Sequence, residues 1–192
     1  IRSWRTAPIS NLIYTHGHAD HIGGSFAFAA DASERNHPKP HVIGHENVNT
    51  RIDRYTQTSD WNIRINQRQF GGIRSDMGLN IGENLLRFLP RSTMRPDETF
   101  RETHKFTAGA TTIELHHARG ETDDHLWAWL PEKKWLFAGD FIIWNYPNAG
   151  NPQKVQRYAF EWAQALRRMI AQGPELLVPA HGLPIEGKAR IA

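Results

Sequence analysis

The stretch His16-Gly17-His18-Ala19-Asp20-His21 constrains this chain more than any other, because it sets three imidazoles and one carboxylate within six residues. It follows the run Asn11-Leu12-Ile13-Tyr14 and precedes Gly23-Gly24, so the cluster falls where a strand ends and a tight turn begins. Side chains two apart on an extended segment point the same way, which lets His16 and His18 approach one cation from one side. Asp20 and His21 lie in the turn beyond, so one loop can serve two neighbouring cations. Imidazole and carboxylate donors suit zinc or another borderline divalent metal, whereas calcium and magnesium prefer all-oxygen sites.

Composition sets outer bounds on the rest. The 192 residues, 39% apolar and 22% charged, have the balance of one globular domain spanning 1–192. The formal charge of +3 is spread along the chain, while a nucleic-acid footprint needs clustered bases; Arg167-Arg168 reads as the solvated face of a helix. With no cysteine, disulfide and thiolate chemistry are excluded. No stretch approaches the apolar length of a membrane span and no signal peptide is visible, so the compartment stays open.

Taken in order, residues 10 to 15 read as a buried strand, and residues 20 to 30 as a turn and helix. His41-Val42-Ile43-Gly44 is a short strand, and residues 45 to 70 fit one or two helices interrupted near Thr58-Ser59-Asp60. That segment offers Tyr55, Trp61, Asn62, Asn66, Arg68 and Gln69 to shape a pocket. Residues 71 to 95 read as loop. Residues 99 to 106 and 111 to 117 alternate as a hairpin, and residues 126 to 130 and 135 to 138 are two apolar strands, the second ending in Gly139-Asp140. Residues 153 to 171 make the clearest helix, with Val155, Tyr158, Ala159, Trp162, Leu166, Met169 and Ile170 on one face. Residues 175 to 179 form a last strand, followed by His181-Gly182. Chemically apt residues thus recur at strand ends: Glu121, His125, Asp140 and His181.

At these residues a family becomes recognisable. The pattern His-x-His-x-Asp-His after a strand resembles the metallo-β-lactamase superfamily. A glutamate, Glu121, follows Gly120 where most of the superfamily has a histidine, and in this the chain resembles the alkyl sulfatase-like branch. The likeness extends through Phe137-Ala138-Gly139-Asp140, Pro147-Asn148 and Pro179-Ala180-His181-Gly182. The resemblance implies an α/β fold, a metallo-β-lactamase-like αββα sandwich. It also implies several strands before the metal motif; this chain opens at Ile1 and reaches the motif by residue 16, so those N-terminal strands are expected to be absent and the chain to be a fragment.

Carried over by position, the resemblance implies that His16, His18 and Glu121 bind one zinc ion and Asp20, His21 and His181 a second, with Asp140 bridging. His125 is the alternative third ligand to Glu121. Asp20 and Asp140 are the catalytic carboxylates of the implied reaction, hydrolysis by a hydroxide shared between the metals. An alkyl sulfate or similar anionic ester is the implied substrate. Lys154 and Arg157, three apart at an expected helix N-terminus, and Asn148 are candidates to bind it. A β-lactam, lactone or thioester would need the same hydroxide, and a metal-binding domain without activity is the third alternative. His116 and His117 are expected to face the core and solvent, one each. His37, His41, His45 and His104 are expected to be surface or structural.

Overall fold

The computed structural model describes residues 2–69, 87–145 and 157–192. Its elements run β1 (Asn11–Ile13), α1 (Ala19–Ile22), α2 (Phe26–Glu34), β2 (His41–His45), α3 (Asn47–Gln57), α4 (Ser59–Gln69) and β3 (Glu98–Phe100). There follow β4 (Thr103–Ala108), β5 (Thr111–His117), β6 (Leu126–Leu130), β7 (Trp135–Ile143), α5 (Ala159–Ala171), β8 (Leu176–His181), β9 (Ile185–Glu186) and α6 (Lys188–Ile191). Strands β1, β2 and β3 form a parallel sheet, with Leu12 opposite Val42 and Ile43 opposite Glu98. The second sheet has the order β4-β5-β6-β7-β8-β9 and is antiparallel except between β7 and β8, whose connection runs through α5. Parallel neighbours need such a crossover, because a tight turn reverses the chain.

Alternation along the strands then decides the layers, since successive side chains face opposite ways. Leu12 and Val42 pack with Ile22, Val48, Ile52 and Tyr55 of the helices on one face of the first sheet. Their neighbours Ile13 and Ile43 face the other way, onto Leu115, Leu126 and Ala128 of the second sheet. On the far side of that sheet Trp127, Trp129, Leu136 and Ala138 meet Trp162, Ala165 and Met169, which the helical period places on one face of α5. The result is the expected αββα sandwich, with three apolar interfaces between four layers. No helix among the described residues is long and apolar enough to cross a membrane.

Several boundaries differ from the sequence reading. The strand expected over 99 to 106 is two strands: β3 pairs with β2 in the first sheet, and after a bend at Arg101-Glu102 the chain enters β4 in the second. Periodicity continues across the bend and does not reveal which sheet takes each half. Strand β7 continues past Gly139-Asp140 to Ile143, with register shifts on either side of Gly139, so Asp140 sits in an irregular stretch within the strand and not at its end. Helix α5 begins at Ala159, and Arg157 and Tyr158 precede it; residues 153–156 lie outside the described residues. Strand β9 and α6 were not expected. Residues 87–95 carry no helix or strand, as read, and 71–86 lie outside the described residues.

Leu136 is fully buried between the second sheet and α5. Leu136→Ala should destabilise the fold by about 2–5 kcal/mol, measured as a lowered urea midpoint followed by tryptophan fluorescence. An unchanged midpoint would mean that this interface is not a core.

Candidate metal centre

The two sheets meet along one edge, where the backbone N–H of Leu126 donates to Thr15 O at 2.7 Å. The first sheet delivers the histidine motif there. After β1 the Tyr14 hydroxyl donates to Met94 O at 2.9 Å and the ring is buried. His16 is completely buried, and its Nδ1 lies 3.2 Å from Thr15 Oγ1, which leaves Nε2 directed at the cluster. His18 is the N-cap of α1, and its carbonyl accepts from the N–H groups of His21 and Ile22 at 3.0 and 3.1 Å. That single helical turn sets Asp20 and His21 beside each other, one step beyond His18.

The second sheet supplies the remaining donors. Gly139 has φ +55°, and a Cβ there would lie 2.8 Å from Thr15 Cβ and 2.9 Å from His125 Nε2, so only glycine lets the strand pass this close. The next residue, Asp140, donates its N–H to His125 Nε2 at 3.2 Å. The His125 ring stacks on Phe141 at 4.0 Å, and its buried Nδ1 has no hydrogen-bond partner among the described residues. Through Nε2, His125 orients Asp140.

The seven residues expected to hold metal fall into two groups, His16, His18, Glu121 and Asp140 in one and Asp20, His21 and His181 in the other. Glu121 Oε2 lies 3.4 Å from both His16 Nε2 and His18 Nδ1, which are 2.9 Å apart. Asp20 Oδ2 lies 3.4 Å from His21 Nε2 and 3.3 Å from His181 Nε2, themselves 3.3 Å apart. Between the groups sits Asp140 Oδ2, at 3.3 Å from His21 Nε2, 3.6 Å from His181 Nε2 and 3.9 Å from His16 Nε2. Tetrahedral zinc with bonds near 2.0–2.1 Å separates its ligand atoms by about 3.4 Å. The donor set and most of these spacings therefore fit divalent metal. Among the described residues, buried Glu121 Oε2 and Asp140 Oδ1 also have no hydrogen-bond partner, which suits carboxylates facing a cation.

Charge differs between the two groups. Burial pushes His16 and His125 well below the ordinary imidazole value, so both are neutral, the form that ligates metal. For Glu121 burial acts to raise the carboxyl, and His16 and His18 outweigh it, holding it below the usual carboxylate range. Burial would lower His21, but Asp140 and Asp20 overcome this and push it up to about 10. Asp20 is held down by His21 against its own burial. The first group is deep, whereas the side chains of Asp20 and His181 are 60% and 52% exposed, so the cluster opens to solvent on their side.

Arg157, expected to clamp an anion, donates from Nη1 to Glu121 Oε1, and both side chains are nearly buried. Lys154 and Asn148 lie outside the described residues. Of the helical candidates for a pocket, Tyr55 is a core residue packed on Phe88 and Trp61 is 60% exposed. Asn62 and Asn66 bond back to Thr58 O and Asn62 O within the helical segment; Arg68 is exposed, and the Gln69 side chain lies outside the described ones. His116 stacks on Trp127 and His117 on buried His45, so both serve packing. The sequence reading missed Arg51 and Asp124, which bond each other beneath Gly17. An arginine in step with Val48, Ile52 and Tyr55 on the buried face of α3 was the available signal.

Residues 2–181 match the sequence profile of the metallo-beta-lactamase superfamily. The chain belongs to that superfamily. It is 25% identical to a linear primary-alkylsulfatase from Pseudomonas sp. (strain ATCC 19151), over 96% of this chain and 36% of that protein. In fold it is similar to the stereoselective inverting sec-alkylsulfatase Pisa1 from Pseudomonas sp., with TM-score 0.73, 19% identity, and coverage of 99% of this chain and 32% of that one. A metallo-beta-lactamase from Pontibacter korlensis matches with TM-score 0.58 and 20% identity, over 100% of this chain and 69% of that one. The chain thus spans about a third of the length of the alkylsulfatases it resembles.

His21 with its raised value of about 10 is protonated at neutral pH, and a metal must displace that proton. Zinc affinity should therefore rise with pH up to about 10, with proton release measurable by titration calorimetry in buffers of different ionisation enthalpy. The same ion pairing stabilises the metal-free fold fully below His21's ordinary 6.5 and is lost as pH rises through about 10. Zinc binding without proton release at pH 7 would contradict this.

Proposed function

We propose that residues 1–192 form one domain, a dinuclear zinc hydrolase acting on an alkyl sulfate or a similar anionic ester. The observation that carries the dinuclear reading is the place of Asp140 Oδ2, within 3.9 Å of ring nitrogens from both ligand groups. In this reading His16, His18 and Glu121 hold one ion, Asp20, His21 and His181 the other, and Asp140 is shared. Bound there, the ions would supply a hydroxide nucleophile near neutral pH and Lewis-acid stabilisation of the breaking ester bond. The chain's own residues orient and neutralise. His125 holds the Asp140 backbone, and Thr15 fixes the His16 ring. Arg157 offsets the charge of Glu121 and holds its Oε1, leaving Oε2 to the histidines. Exposed Asp20 would help hold the ion on the open side of the centre, where an ester can approach.

Support for a sulfate ester comes from the likeness to alkylsulfatases, at 25% identity over part of their length. Lys154, Arg157 and Asn148 are the side chains we assign to the anion. On this assignment Lys154→Ala should raise KM with kcat nearly unchanged, because it removes only binding. Arg157→Ala should lower kcat as well, because it also strips the partner from Glu121. Equal effects of the two substitutions on KM alone would separate Arg157 from the centre.

The deciding experiment measures metal content by elemental analysis and sulfate release from a medium-chain alkyl sulfate on the same sample. Two zinc per chain with sulfate release is the expected result. Asp20→Ala and His181→Ala should each cut turnover by at least about 100-fold, since each removes a ligand from the open metal position. Full activity in either variant would overturn the dinuclear mechanism, and metal without sulfate release would overturn the substrate.

A further inference from the structure

Beneath the loop that carries His16 and His18 lies a buried ionic cluster that the proposed chemistry does not use. Asp124 is 0% and Arg51 8% exposed. Asp124 Oδ2 accepts from the Gly17 N–H at 2.9 Å and from Arg51 Nε at 3.1 Å. Arg51 Nη2 donates to Asp123 Oδ1, and Asn47 Nδ2 reaches Asp123 Oδ2 at 3.3 Å. The cradle is closed around bare backbone: a Cβ on Gly17 would lie 2.8 Å from Arg51 Cδ and 2.8 Å from Asp124 Oδ2.

The connectivity gives this cluster a particular place. Gly17 stands between two candidate ligands of the first sheet. Asp123 and Asp124 stand between Glu121, a candidate ligand on the second sheet's side, and His125, whose ring holds Asp140. Asp124 therefore ties the backbone of the His16/His18 loop to the Glu121 side, and Asn47 and Arg51 of α3 brace Asp123 and Asp124 from one helix. Against an apolar replacement a buried ion pair contributes little net stability. What it does better than two leucines is hold hydrogen-bonding groups at one separation.

We propose that Arg51 and Asp124 are positioning residues of the metal centre: they set the distance between the His16/His18 loop and the Glu121 loop, and so the metal affinity of that group. The inference rests on the dinuclear reading above. Asp20, His21 and His181 make no bond to this cluster, whereas Gly17 lies between His16 and His18, so the larger effect falls on the His16, His18 and Glu121 group.

The test is equilibrium dialysis against zinc, and against cobalt with its ligand-field absorption recorded, on the wild-type chain, Asp124→Asn and Arg51→Lys. Asp124→Asn keeps an acceptor for Gly17 but loses the charge; Arg51→Lys keeps the charge but loses the planar fork. Circular dichroism and thermal unfolding of the metal-free forms check folding, and Asp31→Asn, which breaks the remote Arg2–Asp31 pair, is the control. The expected result is about a 10–100-fold loss of affinity at one of two sites with an altered cobalt spectrum, and no change in the control. Wild-type affinity at both sites in the folded variants would overturn the inference, as would equal weakening of both sites in step with lost stability. Should Asp124→Asn fail to fold, Arg51→Lys decides by the same criteria. A wild-type chain that binds no metal would overturn the dinuclear reading and this inference together, whereas two bound metals with unaltered variants would overturn this inference alone.

Discussion

Asp140 Oδ2 is the point at which the two halves of the sandwich meet electrostatically, with ring nitrogens of His21, His181 and His16 around it at 3.3, 3.6 and 3.9 Å. A carboxylate buried without such partners is costly to the fold. It is delivered there by irregular backbone: the left-handed Gly139 shifts the register of β7, and the Asp140 N–H is caught by His125. Two sheets with separate hydrogen-bond ladders thus share one polar centre, and the apolar interface of Ile43, Leu115, Leu126 and Ala128 behind it holds them together.

Burial and charge divide that centre into a deep side and an open side. His16 is inaccessible and neutral, whereas Asp20 and His181 are more than half exposed. A cation at the deep group would be held by His16, His18, Glu121 and Asp140. At the open group it would remain within reach of an ester. The inequality follows from chain connectivity: His16 comes just after a sandwiched strand, while Asp20 lies on the exposed side of α1 and His181 at the last residue of β8.

Arg157 shows how a reasonable local reading can miss a partner. Its spacing from Lys154 and its nearness to a helix start fit an anion clamp. In the fold the guanidinium meets Glu121, 36 residues earlier in the chain. A positive charge beside the centre serves either purpose, and only the placement of Arg157 before α5 shows which carboxylate lies within reach.

The sequence by itself determined the donor set and the periodicity of the elements. Both are local: the histidine motif spans six residues, and the apolar runs of β2 and β6 and the buried faces of α3 and α5 are each set within a few residues. Tertiary structure alone decided which sheet takes β3 and which takes β4, where β7 kinks, and that Arg51 and Asp124 lie 73 residues apart yet in contact. The physical reason is that a side chain's burial pattern records that it has a partner. A ladder or an ion pair between distant segments is chosen by the geometry of the whole chain, and no local pattern carries that choice.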